Sequence, residues 1–374
     1  MAQLRSRATC YWERGRPRPP APKRCFSNGQ LKSYATKSSR CALSAGEGAR
    51  APSKARPRFR NWLQILTLAK LQPMSESQSL PMNFGGITEA ELSSFDKARV
   101  LIWPISYEGT VSYGGGTGQG AAAIIDASRN MELYDEETDA EVYKLGIHTL
   151  DESPSIDPPE RMMNSLYERA KQLVSTSKFV TMIGGEHSVS APVIRAHSET
   201  YSNFSVLQID AHADLRDSYD GTPHSHASIM ARVVKDLRIP AVQVGIRSIS
   251  VDEARVIDQL PTRIFWAKDI VGRDDWWDDA IEGLTENVYL TIDIDGLDPS
   301  LVSATGTPEP GGLGWYETIG LIRTLARNRK VVGMDLTEYS YVEGQNASAF
   351  LCAKLIYKTL GFVFEKETGR VRNV

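Results

Sequence analysis

Ser205-Val206-Leu207-Gln208-Ile209-Asp210-Ala211-His212-Ala213-Asp214 is the stretch on which the reading of this chain turns. A short, mostly apolar run of strand length ends abruptly in three groups that are costly to bury unpaired. Asp210, His212 and Asp214 are spaced two apart, and alternate residues of an extended chain face the same side, so the three side chains can converge on one point. The pattern recurs. Residues 179–183 run into Gly184-Gly185-Glu186-His187, residues 288–292 run into Asp293-Ile294-Asp295, and Glu338 follows the run at 331–334. Strands apolar on both faces belong to a parallel sheet covered on two sides, and in such sheets functional groups collect at the carboxyl edge.

Working outward, further strands are expected at 100–103, 242–245 and 263–266. Helical periodicity is expected at 160–174, 226–235, 274–284, 315–328 and 347–360. Alternation of the two kinds of element indicates an α/β fold with helices on both faces of the sheet. No repeat of fixed period appears, and one domain of roughly 280 residues accounts for the pattern. The expected boundaries are 1–73 for a basic N-terminal extension, 74–96 for a lead-in, 97–365 for the catalytic domain and 366–374 for a flexible tail.

The net charge of −3 over 374 residues hides an asymmetry. Residues 1–73 carry 16 basic and two acidic side chains, whereas the remainder carries 27 basic and 44 acidic, a net of −17. Arg16-Pro17-Arg18-Pro19-Pro20 favours extended, disordered chain. The apolar run Trp62-Leu63-Gln64-Ile65-Leu66-Thr67-Leu68 is too short to cross a membrane, which takes about 20 residues. The arginine-rich, acid-poor composition loosely fits an organelle transit segment, but the prolines oppose the amphipathic helix such a segment needs. The extension is therefore read as sequence upstream of a start at Met74 or Met82, and the body as cytoplasmic. Cys10, Cys25 and Cys41 match no zinc spacing, and Cys352 sits in an apolar pattern that marks it as core. The acidic body disfavours nucleic acid as a specific partner.

Four aspartates and two histidines supply about −4, which two divalent cations would neutralise; oxygen and imidazole donors without sulfur suit Mn²⁺. A lone Asp-x-Asp at a strand end is usually a turn or a helix cap. Three strand ends carrying ligand-type residues in one chain make that explanation inadequate. Glu186 alternates away from His187 and is left out of the ligand set.

Gly184-Gly185-Glu186-His187, Asp210-Ala211-His212-Ala213-Asp214 and Asp293-Ile294-Asp295-Gly296-Leu297-Asp298-Pro299 resemble the three signature motifs of the ureohydrolases, the arginase and agmatinase family. Residues 305–312 and the glycine-rich 113–120 match as well, and the similarity spans roughly residues 97–362. The resemblance implies a three-layer α/β/α sandwich around a mostly parallel sheet of about eight strands. It implies one manganese ion on His187, Asp210, Asp214 and Asp293 and a second on His212, Asp210, Asp293 and Asp295, with a bridging hydroxide as nucleophile. It further implies that Glu338 pairs with the guanidinium group and that His226, in preference to His224, carries the proton. Trimers or hexamers are the assemblies it implies.

The loop Leu215-Arg216-Asp217-Ser218-Tyr219-Asp220-Gly221 is similar to that of bacterial agmatinases. The expected reaction is therefore hydrolysis of agmatine to putrescine and urea, a step of polyamine biosynthesis, with Asp217 or Asp220 as candidates to receive the distal ammonium. Guanidinobutyrate, guanidinopropionate, guanidine and arginine stay open as substrates, and so does a non-catalytic, metal-stabilised role. A two-metal phosphoesterase would want cationic clamps, and the neighbourhoods of the motifs are acidic.

Overall fold

The computed structural model describes residues 80–372. The basic extension 1–73 with its three cysteines, the start of the lead-in and residues 373–374 lie outside the described residues. The main sheet contains β1 (Val100–Ser106), β2 (Ile147–Thr149), β3 (Phe179–Ile183), β4 (Phe204–Ile209), β5 (Ala241–Ile246), β6 (Thr262–Trp266), β7 (Asn287–Asp293) and β8 (Lys330–Thr337). Their order across the sheet is β2-β1-β3-β8-β7-β4-β5-β6, every neighbouring pair is parallel, and Ser153–Pro154 adds a short parallel pairing at the end of β1. Each strand must return to the same end of the sheet, so helices cross over its faces.

Two hydrophobic cores result, one on each face. Val100, Ile102, Leu207 and Ile209 point into one core, where α1 (Gly120–Ser128) packs. Leu101, Trp103 and Val206 point into the other, against α2 (Pro159–Val174) and α3 (Ser190–Thr200). The helices α4 (Trp315–Asn328) and α5 (Asn346–Val363) complete the first layer. This is the expected three-layer sandwich. Cys352 is wholly buried in it, as expected, and burial pushes its thiol pKa up.

The expected strands are all present and so are the expected helices apart from the one at 226–235, with differences at their ends. The run at 331–334 extends through Asp335 and Leu336 to Thr337, because Asp335 and Thr337 are themselves buried. The short edge strand β2 was not foreseen; three residues containing a histidine carry no strand signature. The helix expected at 274–284 contracts to Trp277–Glu282. The one expected at 226–235 breaks into a 3₁₀ turn at His226–Ser228, a short α segment at Ile229–Ala231 and a π turn at Arg232–Asp236. The tail returns to the body, where the backbone N–H of Val371 donates to the carbonyl of Asp139 and Arg372 pairs with its carboxylate. Among the described residues no helix is long and apolar enough to cross a membrane.

Candidate metal centre

The carboxyl ends of the adjacent strands β3, β8, β7 and β4 deliver His187, Glu338, Asp293 and Asp210 respectively. The turn after β3 needs its glycines. A Cβ on Gly185 would lie 1.8 Å from the Tyr107 carbonyl oxygen, so no other residue lets the chain pass. Asp214 and Glu338 adopt left-handed φ of 54° and 63°, which non-glycine residues hold only when their surroundings enforce it. For Glu338 the enforcement is visible, since its Oε1 accepts the backbone N–H of His187 at 2.6 Å and its own N–H donates to the Gly185 carbonyl.

His187 Nδ1 lies 3.1 Å from Asp214 Oδ2, 3.2 Å from Asp210 Oδ2 and 3.4 Å from Asp293 Oδ2. One imidazole proton can serve only one of three carboxylates, so the donors are gathered about a point rather than paired off. His212 Nδ1 lies 3.0 Å from Asp295 Oδ2 and 3.7 Å from Asp210 Oδ1. Two sets of atoms therefore stand close enough to hold an ion each: His187, Asp210 and Asp214 in one, Asp210, His212 and Asp295 in the other. Asp210 belongs to both through different oxygens. Asp293 reaches the first set with Oδ2, while its Oδ1 accepts the backbone N–H of Asp295 at 2.9 Å.

The electrostatics show why such a cluster suits cations. The four aspartates are nearly or fully buried, and among the described residues none of them has a lysine or arginine at ion-pairing distance. Arg247 stands just behind but donates to backbone carbonyls, among them those of Asp295 at 2.6 Å and Glu309 at 2.7 Å. Burial, then repulsion from Asp210, pushes the Asp214 pKa up to about 7. Asp293 is driven well above the carboxylate range by burial and by Asp295. Burial alone would lower the His212 imidazole, but Asp210 and Asp295 outweigh it and push it up to about 12. Buried carboxylates that repel one another and share hard oxygen and imidazole donors are what a pair of divalent ions requires, and the donor set fits them.

A row of wholly buried polar residues lies in register across β5, β4, β7 and β8, Gln243, Gln208, Thr291 and Asp335, with Gln208 and Thr291 two positions before the ligand candidates Asp210 and Asp293. Gln208 Nε2 donates to Asp210 Oδ2 at 2.6 Å, and Gln243 Nε2 donates to Gln208 Oε1. Thr291 donates its hydroxyl to Asp335 at 2.6 Å and accepts from His187 Nε2 at 2.9 Å. The row escaped the sequence reading. Its signal was a polar residue at the same-face position before Asp210 and before Asp293 in otherwise apolar strands.

The centre opens into a cavity of ≈ 220 Å³ whose wall includes His226, Glu338 and Thr307. Of the two candidate histidines, His226 lines this cavity and His224 lines a separate surface pocket. Burial, then the charges of His187 and His212, lowers the His226 pKa. Thr307 directs its hydroxyl toward Asp295 Oδ2 at 3.4 Å. Glu338 is raised to about 8, first by burial and then by Glu186. Asp217 and Asp220 do not line the cavity. Asp217 points outward and pairs with Lys235 at 2.6 Å. Glu253 lines the wall instead, beside Arg216 and Tyr219, and it closes a capping box with Ser250 at the start of Val251–Val256. The Ser-x-x-Glu spacing was the available signal for it.

Comparison with known proteins agrees with this construction. The arginase-family profile matches residues 98–361. An N(1)-aminopropylagmatine ureohydrolase of Synechocystis sp. is 39% identical over 290 residues, covering 75% of this chain and 94% of the relative. An agmatinase of Pyrococcus horikoshii is 31% identical over 277 residues, covering 73% and 95%. Among solved structures, the agmatine ureohydrolase of Thermoplasma volcanium superposes with a TM-score of 0.69 at 26% identity, covering 77% of this chain and 96% of that one. With three strand-end motifs converging on one buried centre and a match of this extent, the chain belongs to the arginase family.

Proposed function

We propose that the protein is a ureohydrolase that releases urea from agmatine or from an N-alkylated agmatine, with residues 97–365 as its catalytic unit. The observation that carries the reading is the meeting in one cavity of the Asp210-centred carboxylate cluster, Glu338 and His226. His187, Asp210, Asp214 and Asp293 would hold one divalent ion, manganese by donor chemistry, and His212, Asp210, Asp293 and Asp295 the other. When bound, such a pair of ions makes a water nucleophilic near neutral pH and offsets the carboxylate charge.

The rest falls to the side chains. Glu338 has Oε1 engaged by the His187 backbone, so Oε2 is left for a charge-assisted bond to a guanidinium N–H. A substrate cation beside Glu338 favours the ionised carboxylate, against the burial that raises it. His226 supplies the proton that the departing amine needs. The polyamine-like end of the substrate would extend toward Glu253 and Tyr219.

Two substrates divide the reading. Agmatine gives putrescine and urea, and the loop at 215–221 favours it. N(1)-aminopropylagmatine is favoured by a specific observation, since the Synechocystis relative carries that name. Urea release after manganese loading, measured on agmatine, N(1)-aminopropylagmatine, arginine and guanidinobutyrate side by side, separates the possibilities. Higher kcat/KM for the aminopropyl compound assigns the second substrate, and no urea from any of the four refutes the reading. Assembly as a trimer or hexamer is part of the same proposal and is checked by light scattering.

A further inference from the structure

Glu186 is wholly buried and turns away from the carboxylate cluster. Its Oε1 accepts from the hydroxyls of Thr110 and Ser188, both at 2.6 Å. Its Oε2 accepts from the backbone N–H groups of Gly109 at 2.7 Å and Thr110 at 2.6 Å. The four donors favour the ionised carboxylate against the burial that raises its pKa, and with both oxygens so occupied the hydroxyl proton of Thr110 is committed to Glu186. The Thr110 oxygen has only lone pairs left to offer. It accepts the backbone N–H of His226 at 3.1 Å and stands 3.2 Å from His226 Nδ1.

Those contacts select a tautomer. A bare Nδ1 would oppose a lone pair to the lone pairs of Thr110 Oγ1, whereas a protonated Nδ1 donates to it. Ser225 Oγ, 3.4 Å from the same nitrogen, serves as a second acceptor. It could donate instead only across that longer contact, and the Thr110 repulsion would remain. A neutral ring with its proton on Nδ1 leaves Nε2 as the basic atom, 3.4 Å from Ser112 Oγ in the cavity wall. The edge of Tyr219, with ring centroids 5.7 Å apart, limits rotation of the imidazole.

We propose that Thr110 and Glu186 are positioning residues that hold His226 in the Nδ1–H tautomer, so that Nε2 is the atom that takes up and hands over the proton. The proposal rests on the ureohydrolase reading above for the identity of that proton. The attacking water loses it to Nε2 and the departing amine gains it from Nε2, so the ring ends the cycle as it began.

The tautomer is read directly by long-range ¹H–¹⁵N correlation on enzyme labelled at histidine and loaded with diamagnetic zinc, with His226→Gln assigning the signals. Wild type is expected to show a pyrrole-type Nδ1 and a pyridine-type Nε2 at His226. Thr110→Val, nearly isosteric, is expected to lose that signature and to lower kcat about 10- to 100-fold with little change in KM. Thr110→Ser restores both, while Ser225→Ala leaves the tautomer unchanged. A proton on Nε2 in the wild-type spectrum overturns the proposal whether or not any variant folds. Thr110→Val with signature and kcat intact overturns it as well. Wild type that yields no urea removes the ureohydrolase reading instead, and the tautomer measurement stands apart from that result.

Discussion

Among the described residues, the carboxylates around a buried lysine and those at the strand ends are completed in different ways. Around Lys358, whose side chain is 3% exposed, Asp135, Glu136 and Glu137 stand at 2.9, 3.0 and 3.0 Å. The chain supplies its own cation there. Burial would raise Asp135, yet its hydrogen bond to Lys358 and those from Thr138 hold it below the ordinary value. At the strand ends, Asp210, Asp214, Asp293 and Asp295 have two imidazoles for company and no lysine or arginine head among the described residues. Asp214 and Asp293 are raised in consequence. Carboxylates gathered together make a structural staple in one place, where Asp135 is as buried as the strand-end aspartates, and a candidate ion site in the other. The difference lies in whether a cation is encoded.

The largest effects should come from removing the shared member of each cluster. Asp210→Asn is expected to lower urea release at least about 1000-fold, several kcal/mol of barrier, because both sets of donors lose a carboxylate. With metal chelated, the same variant should change stability little, since it relieves the repulsion that raises Asp214 and Asp293 but also removes a carboxylate that His187 and His212 hold ionised. Lys358→Met should instead destabilise the fold. The uncompensated Asp135 carboxylate left in the core costs about 3–5 kcal/mol, read from denaturant unfolding of the chelated protein. Equal destabilisation by both substitutions would erase the distinction between the clusters.

Ion binding supplies the next test. A ligand that binds only the folded state stabilises it by about 2.7 kcal/mol at 100 times its Kd. Manganese titration should therefore raise the Tm of wild type and of Lys358→Met, and leave that of Asp210→Asn nearly unmoved. Gln208→Met probes the polar row beneath the ligands. Loss of the amide that orients Asp210 is expected to weaken metal binding about 10- to 100-fold, measured by competition with a chelating dye.

How much of this was legible beforehand follows from the same physics. Strands such as Phe179–Ile183 and helices such as Trp315–Asn328 announce themselves because uniform apolar runs and 3.6-residue periodicity have few other meanings. The six ligand candidates were legible because alternation at strand ends leaves little freedom in where they point. The polar row was not, since a hydrophobicity criterion passes over Gln208 and Thr291 and stops short of Asp335 without knowing that each finds a partner. The helix expected at 226–235 failed for a non-local reason. His226 is held by Thr110, 116 residues earlier, and Ser225 caps a 3₁₀ turn in place of a regular helical start. Distant partners of this kind leave no trace in local spacing.

A pH series sharpens the Lys358 side of the comparison. Asp135 is held below its ordinary 3.8, so its contribution to stability is complete above that value and is lost as pH falls through the folded pKa. Lys358 is raised above 10.5 by its carboxylate partners against the opposing effect of burial, so its contribution is complete below that value and is lost as pH climbs through the folded pKa. The stability difference between wild type and Lys358→Met should be flat from about pH 5 to 9 and shrink in acid. A difference that grows on acidification would show that the lysine does not hold Asp135 ionised.

The smallest effects concern the far wall of the cavity and the loop outside it, where the charges approach solvent. Asp217 forms a close pair with Lys235, but its side chain is 80% exposed, and pairs of this kind contribute about 0–1 kcal/mol. Asp217→Asn should therefore change neither stability nor KM measurably. Glu253 is buried, holds the Leu215 N–H at 2.9 Å and caps the helix beginning at Val251, with Arg216 only 3.9 Å away. That arginine offsets much of its charge, so Glu253 attracts a distal ammonium far less than an unpaired carboxylate would. Glu253→Gln keeps the shape and most of the hydrogen bonds, and the expected outcome is a rise in KM of about two- to fivefold for a dicationic substrate, under 1 kcal/mol. Guanidinobutyrate, which lacks the distal cation, should be unaffected. If Asp217→Asn raised KM and Glu253→Gln did not, the substrate's far end would lie along the outer loop, and the wall charge completed by Arg216 would count as another staple.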